Sequence, residues 1–211
     1  MKPVRVVIAD DHTLVLEAFK ELLADQFEVV GTATNGRELI KVVRQLEPDV
    51  VVTDISMPEL NGFDASVKLL ALLPDLKIIF LTVSDDPDMV ARVIRAGVKG
   101  YLLKSSAVSE LRQAIEAVSR GTTYITPLVT GGMLDSLIKG DKKVKMDQLT
   151  VRQREILQLL AEGRSMKETA RILNVTARTV AFHKYRIMGN LGIDNNAALV
   201  RYAYKNGLLQ D

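Results

Sequence analysis

The front of the chain alternates between short apolar runs and amphipathic stretches. The apolar runs are nearly continuous in Val, Ile and Leu, which is typical of parallel strands buried on both faces. Between them, apolar residues recur at the three- and four-residue spacing of one helix face. This alternation predicts an α/β fold, a five-stranded doubly wound parallel sheet with helices on both faces. The predicted strands are Val4–Ala9, Glu28–Ala33, Val50–Thr53, Ile78–Leu81 and Gly100–Leu103.

The pattern changes after Gly121, which we take as the end of the first domain, residues 1–121. Residues 122–147 are interrupted by Pro127 and several glycines and end in a run of charge. We predict a linker there, with one short helix at Leu128–Ile138.

The tail, residues 148–211, shows helical spacing and no strand pattern. Two capping boxes, Thr150–Gln153 and Ser165–Glu168, predict helix starts. The second predicted helix ends at Leu173, and a tight turn leads into a third helix over Ala177–Leu191. Two short helices joined in this way predict a helix-turn-helix unit within a small all-α domain.

Composition and charge narrow the class of protein. With 47% hydrophobic and 26% charged residues, the chain is predicted to be globular, and its lack of cysteine excludes disulfides and thiolate metal sites. We find no apolar run long enough to span a membrane and no secretory signal, so we expect a cytoplasmic protein without a membrane partner. Residues 1–120 carry a net charge of −4 and residues 121–211 a net charge of +6. The basic half is a candidate for nucleic-acid binding, although a chance distribution of surface charge would give the same asymmetry.

Several predicted strands end in residues that carry chemistry. The carboxyl ends of parallel strands share one edge of the sheet, where ligands bind. Carboxylates crowded there repel one another unless a cation lies among them, and oxygen ligands with open positions suit Mg²⁺. A hydroxyl and an ammonium group at the same edge would donate to a phosphoryl group, so we expect phosphoryl transfer to a carboxylate. The residues are Asp10 and Asp11 after the first strand, Asp54 after the third, Thr82 after the fourth and Lys104 after the fifth.

Each of these residues also has an ordinary structural explanation, as a helix cap, a turn residue or a surface charge. Their joint order at successive strand ends favours a site. A phosphatase with an aspartyl-phosphate nucleophile is a poor alternative, because it needs an acid where this chain has Ser56. A dinucleotide-binding enzyme is weaker still, because Asp10, Asp11 and His12 stand where a glycine-rich turn would be needed.

Residues 1–121 resemble the receiver domain of bacterial response regulators. The resemblance is carried by five short runs along the predicted strands and the loops that follow them. They are Val6–His12, Asp54–Pro58, Asn61–Gly62, Leu81–Thr82 and Gly100–Lys104.

The resemblance implies a role for each matching residue. Asp54 would be the phosphoacceptor, supplied by a histidine kinase, and Lys104 would pair with the phosphoryl oxygens. Thr82 and Tyr101 would be the switch pair. The implied Mg²⁺ ligands are Asp10, Asp11, Asp54 and the carbonyl of Ser56. One position departs from the pattern: many receivers have a proline after the lysine, often in a cis peptide, and here it is Ser105. A non-proline cis bond costs roughly 3 kcal/mol, which favours trans, but the sequence leaves the isomer of this bond open.

The tail is similar to the LuxR-type DNA-binding domain over about residues 149–208. The matching runs include Leu149–Leu157, Ala161–Ser165, Thr179–Val180 and Leu191–Ile193, together with His183. A receiver followed by this tail is the architecture of the NarL/FixJ class of response regulators. The resemblance implies a DNA-binding transcriptional regulator without enzymatic turnover beyond chemistry at Asp54. Phosphorylation would control DNA binding or formation of a homodimer on double-stranded DNA.

The third tail helix is expected to enter the major groove. Its spacing places Val180, His183, Ile187 and Leu191 on the inward side, and we predict that His183 is packed and contacts backbone. The residues predicted to face DNA are Arg178, Thr179, Ala181, Phe182 and Tyr185, with Lys184 and Arg186 flanking them toward phosphates. Relatives often carry lysine and other polar residues at positions 181 and 185. Ala181 and Phe182 are predicted to contact thymine methyl groups, and Arg178 to contact either guanine or a phosphate. Contact of Phe182 and Tyr185 with a protein is the alternative.

Overall fold

The computed structural model describes residues 2–138 and 148–209. These residues form two compact units, one from the first strand to the sixth helix and the other holding the four helices of the tail. The predicted domain limits at 121 and 148 remain a prediction. Positions 139–147 of the predicted linker and residues 210 and 211 of the tail lie outside the described residues.

The first unit is a parallel sheet with the strand order β2-β1-β3-β4-β5-β6. The reversal of strand order between β1 and β3 is a topological switch point, so a crevice opens at the carboxyl ends of these two strands. The elements are β1 (Val4–Ala9), α1 (Thr13–Leu23), β2 (Phe27–Ala33), α2 (Gly36–Leu46), β3 (Val50–Asp54), α3 (Gly62–Leu72), β4 (Lys77–Thr82), α4 (Pro87–Arg95), β5 (Gly100–Leu103), α5 (Ala107–Ser119), β6 (Tyr124–Ile125) and α6 (Pro127–Ile138).

The central strands are apolar on both faces because helices cover both faces. Every residue of β3 is buried, and Ile8, Leu81 and Leu102 join the core that packs under α1 and α5. Continuous burial explains why these strands show no polar alternation in the sequence. The predicted α/β class and the doubly wound sheet are confirmed.

The sheet described in residues 2–138 has six strands, one more than we predicted. The additional strand β6 is only two residues long, too short to produce a hydrophobic period, and it lies in the segment predicted as linker. It pairs with β5 by parallel hydrogen bonds, and the amide of Thr126 donates to the carbonyl of Tyr101 at 2.9 Å. The short helix predicted in this segment is present as α6, which packs against α4.

The second unit contains α7 (Val151–Ala161), α8 (Met166–Leu173), α9 (Ala177–Leu191) and α10 (Asn196–Lys205). Both predicted capping boxes form, at the starts of α7 and α8. Asn174 ends α8 in the left-handed conformation, with φ of 51°, and so turns the chain into α9. Leu173, Val180 and Ile187 are buried in the shared core, which holds α8 and α9 as a helix-turn-helix pair.

Candidate functional site

The crevice at the ends of β1, β3 and β5 holds a three-centre charge cluster. The side chains of Asp10 and Asp54 are 2% and 0% exposed, and the Nζ atom of Lys104 lies 2.7 Å from an Oδ2 atom of each. Strand order explains the meeting, because β1 and β3 are neighbours and the chain leaves β5 at the same edge. The structure therefore brings together the three residues that the sequence placed at separate strand ends.

Burial sets the protonation behaviour of this cluster. Desolvation raises the pKa of Asp54, and the charge of Asp10 adds to that effect, while the hydrogen bond and charge of Lys104 oppose it. Burial alone would lower the pKa of Lys104, but its bonds to Asp10 and Asp54 outweigh burial and raise the pKa. Lys104 therefore stays protonated and available to an anion at this edge.

Asp11 and His12 extend the cluster toward solvent, and we had assigned no role to His12. His12 Nδ1 lies 3.2 Å from Asp10 Oδ1 and 3.0 Å from Asp11 Oδ1, and its amide donates to Asp10 Oδ1 at 2.9 Å. Ligand atoms of the three side chains all lie within 4.8 Å of one another. The position of His12 directly after the two aspartates was the signal available in the sequence.

The donor set fits a hard divalent cation. Asp10 and Asp54 share the one ammonium group of Lys104, and Asp11 adds a third carboxylate beside the His12 ring, so carboxylates outnumber the Lys104 charge at this edge. Carboxylate oxygens with open positions are the ligands that Mg²⁺ takes beside phosphate oxygens. Ser56 donates its amide to Asp54 Oδ1 at 3.2 Å. The use of its carbonyl as a ligand stays a prediction.

The predicted switch residues meet at the loop between β4 and α4. Tyr101 is fully buried, and its hydroxyl donates to the carbonyl of Ser84 at 2.7 Å. The amide of Ser84 donates to Thr82 Oγ1 at 3.1 Å. The backbone of Ser84 thus contacts both predicted switch residues. No motif in the sequence pointed to Ser84. Burial raises the pKa of Tyr101, which keeps the hydroxyl a donor.

Gly62 positions the end of β3 through its lack of a side chain. A Cβ atom built on Gly62 would lie 1.8 Å from the carbonyl oxygen of Asp54. Its amide donates to the carbonyl of Ile55 at 2.7 Å, and Asn61 caps α3 just before it. Only glycine allows this approach of α3 to the strand that carries Asp54.

Every peptide bond among residues 2–138 and 148–209 is trans, including the one between Lys104 and Ser105. The structure thus gives the isomer of this bond, which the sequence left open.

The exposed side of α9 matches the side predicted to face DNA. Phe182 is 57% exposed and Tyr185 65% exposed, while Val180 and Ile187 are completely buried on the opposite side. The other predicted residues divide by position on the helix. Arg178 and Arg186 are exposed, whereas Thr179, Ala181 and Lys184 are half-buried.

His183 does not make the backbone contact that we predicted. It is half-buried, and its buried Nδ1 atom has no hydrogen-bond partner within the described part of the chain. Its ring meets the Phe182 ring edge-on at 5.6 Å between centroids. The 3.6-residue period assigned it to the inward side, but it lies at the border of the buried face, where packing rather than periodicity decides burial.

Two family models match the chain. One, described as the response regulator receiver domain, covers residues 6–116, and the other, described as bacterial regulatory proteins of the luxR family, covers residues 147–203. Two curated relatives are similar over almost the full length. The oxygen regulatory protein NreC of Staphylococcus carnosus is 39% identical over 97% of this chain and 99% of its own. The transcriptional regulatory protein MctR of Rhizobium johnstonii is 36% identical over 98% and 95%.

Solved structures of RcsB are also similar to this chain. RcsB of Salmonella enterica serovar Typhimurium, bound to promoter P1flhDC in the presence of phosphomimetic BeF3-, is 29% identical, with a TM-score of 0.63 over 97% of this chain and 100% of that one. A structure of two RcsB dimers bound to two parallel DNAs is 28% identical, with a TM-score of 0.60 over 98% and 100%. No helix in the described residues is long and apolar enough to cross a membrane.

Proposed function

Because the chain belongs to the NarL/FixJ class of response regulators, transcriptional regulators of two-component systems with a receiver and a LuxR-type DNA-binding domain, we propose that Asp54 is its phosphoacceptor. The observation that carries the proposal is the Lys104 ammonium group held 2.7 Å from both Asp54 and Asp10 in a buried crevice. A histidine kinase is the proposed phosphoryl donor. An Asp54 oxygen attacks phosphorus, the bond from phosphorus to the donor nitrogen breaks, and an acyl phosphate forms.

The residues around Asp54 provide what this transfer needs. Lys104 would leave its ion pair with Asp54 and bond to a phosphoryl oxygen. Asp10 and Asp11, with Asp54 and the Ser56 carbonyl, would hold Mg²⁺, which offsets negative charge as the phosphoryl group approaches. Ser56 also keeps the carboxylate oriented through its amide bond to Oδ1.

The signal would leave the site through Thr82 and Tyr101. A phosphoryl group adds about two negative charges and several acceptor oxygens. The Thr82 hydroxyl would turn toward these oxygens and lose the hydrogen bond that it accepts from the Ser84 amide. Loss of this bond would release the loop whose Ser84 carbonyl accepts from Tyr101. The response would then be a shift between two packings of this loop and of β5.

The output of the tail would be binding to double-stranded DNA through α9. Arg178, Lys184 and Arg186 offer charge to phosphates, while Ala181, Phe182 and Tyr185 face the bases; Thr179 supports the start of α9, where Thr176 caps the helix. The DNA-bound RcsB dimers among similar structures support a homodimer on a two-fold site for the phosphorylated protein.

Labelling tests the phosphoacceptor. We expect the full chain, incubated with acetyl phosphate and Mg²⁺, to gain one acid-stable, base-labile phosphoryl group, detected by intact mass. Asp54→Asn should abolish the gain, whereas Asp75→Asn, which changes an exposed carboxylate, should retain it. Full labelling of the Asp54→Asn variant would remove Asp54 from this role. Sedimentation before and after labelling would show whether phosphorylation produces the dimer.

A further inference from the structure

The exposed side of α9 combines aromatic rings with cations and carries no acidic group. Phe182 and Tyr185 stand three positions apart, 57% and 65% exposed, between the exposed arginines Arg178 and Arg186. No Asp or Glu occurs anywhere in α9. Two large aromatic side chains exposed together on a well-packed helix indicate a contact surface.

The functional groups on this side restrict which base they can recognise. Asn or Gln would be needed for a bidentate contact to adenine, and Asp or Glu to accept from cytosine, and positions 177–189 of α9 hold none of these; Asn190 follows only in the last turn of the helix. The arginines on this side could contact guanine. Phe182 and Ala181 offer only apolar surface. In the major groove, the one apolar group on a base edge is the C5 methyl of thymine.

Two neighbouring side chains contact the ring of Phe182. The guanidinium carbon of Arg186 lies 5.6 Å from the ring centroid, within the range of a cation–π contact. On another side, the ring of His183 meets it edge-on at 5.6 Å. A ring oriented before binding loses less conformational entropy when it contacts a base.

We propose that Phe182 is a specificity-determining residue that recognises a thymine methyl group in the major groove, with Arg186 as the residue that positions its ring. The proposal rests on the DNA-binding function proposed above. Cations beside apolar rings, without acidic groups, complement a duplex, in which phosphates flank the methyl groups. An apolar protein surface would lack the negative charge that faces Arg178 and Arg186, so the observations favour DNA over a protein partner.

The test begins with selection of DNA sites from a random library by the phosphorylated full-length protein. Each thymine of the selected site is then replaced singly by uracil, which removes the methyl group and leaves the hydrogen-bonding groups unchanged. For the wild type, we expect uracil at one step to weaken binding about fourfold, the value of one buried methyl group. For Phe182→Ala the same replacement should change affinity by less than about 1.5-fold.

Matched variants separate this role from others. Phe182→Ala should weaken specific binding about fivefold or more and leave binding to unrelated DNA within about twofold, because it removes no phosphate contact. Tyr204→Ala removes a different exposed aromatic, on α10, and should keep the full uracil penalty. Arg186→Ala should reduce the loss of affinity caused by uracil and should also lower the salt dependence of DNA binding. Phe182→Ala should leave that salt dependence unchanged. Thermal melting checks that each variant is folded.

Two results would overturn the proposal. Equal uracil penalties in the wild type and Phe182→Ala at every thymine would show that Phe182 does not contact a methyl group, while site selection itself would uphold the proposed DNA binding. A library without any enriched sequence would contradict sequence-specific DNA binding and this inference together.

Discussion

At the scale of single residues, the crevice of the first unit balances buried charges against one another. Asp54 has no exposed side-chain surface, yet its proposed role requires an ionised oxygen. Lys104 lowers the free-energy cost of ionising Asp54 by pairing with Asp54 and Asp10 at the same time. Burying a charge is costly unless it is paired, so this arrangement sacrifices stability in favour of a reactive carboxylate.

The raised pKa of Asp54 gives a prediction for stability against pH. The folded protein binds the Asp54 proton more tightly than the unfolded chain, whose pKa is close to the ordinary 3.8. The stabilisation is therefore full below that value and is lost as pH rises through the higher pKa of the folded state. Asp54→Asn cannot ionise, so in Mg²⁺-free buffer its melting temperature should rise relative to the wild type across this window.

Melting curves from pH 3 to pH 8 measure this difference. The exposed Asp75→Asn change should produce no comparable pH-dependent gain. A wild type that gains stability over Asp54→Asn toward neutral pH would mean that the pairing with Lys104 outweighs the cost of burial.

Gly62 provides a second prediction at this scale. In Gly62→Ala the new methyl group would lie 1.8 Å from the Asp54 carbonyl oxygen, so α3 or the end of β3 must move. We expect a loss of about 3 kcal/mol in unfolding free energy, at the upper end of overpacking costs, and strongly reduced labelling by acetyl phosphate. Urea denaturation and intact mass measure the two effects. Normal stability with normal labelling would contradict the close approach.

At the scale of elements, the segment after α5 belongs to the first unit through specific contacts. β6 adds to the edge of β5, where the amide of Thr126 donates to the carbonyl of Tyr101, the proposed switch residue. The buried Thr126 hydroxyl also donates to Glu110 of α5 at 3.0 Å. α6 then packs on α4. A shift of β5 on phosphorylation would thus be transmitted directly to the start of the connection toward the tail.

Two neighbouring glycines of α6 test its packing. Both Gly131 and Gly132 lie inside the helix, where replacing glycine by alanine ordinarily stabilises by about 1 kcal/mol. A Cβ atom on Gly131 meets nothing within 4 Å, but one on Gly132 would lie 2.7 Å from Cγ of Pro87. We expect Gly131→Ala to stabilise the first unit and Gly132→Ala to destabilise it, by thermal melting of the full chain. Equal gains from both changes would show that α6 does not pack against Pro87.

At the scale of the whole molecule, the front and back parts of the chain carry opposite charge. Residues 1–120 have a net charge of −4, and residues 121–211 a net charge of +6. The acidic part includes the carboxylates of the proposed phosphoacceptor site, and the basic part includes the cations of α9. Under the proposed function, each part would therefore complement a different partner, a cation with a phosphoryl group in the front part and a polyanion in the back part.

This asymmetry predicts the salt dependence of DNA binding. Affinity for the selected site should fall linearly on a log–log plot against salt concentration, with a slope of about −0.9 for each phosphate neutralised. Lys184→Ala should reduce the magnitude of the slope by about 0.9, the value of one phosphate contact, whereas Lys20→Ala in the first unit should leave the slope unchanged. Fluorescence anisotropy over a salt series measures the slopes. Affinity independent of salt would instead favour a protein-binding tail.

The sequence by itself determined the class of the fold and which charged side chains meet at the end of the sheet. Buried parallel strands appear as continuous apolar runs, and strand ends share one edge, so Asp10, Asp54 and Lys104 could be placed together without coordinates. Capping boxes likewise marked the starts of α7 and α8, because a cap depends only on residues within one turn of the helix.

Tertiary structure alone decided the features that arise from contacts between distant residues. The two residues of β6 become a strand only because β5 offers an unpaired edge. The partial burial of His183 depends on how α9 packs, and the clash that makes Gly62 indispensable depends on a carbonyl eight positions away. Local pattern encodes which way a side chain points within its own element. It does not encode which neighbour that side chain meets, because that contact is set by the packing of several elements at once.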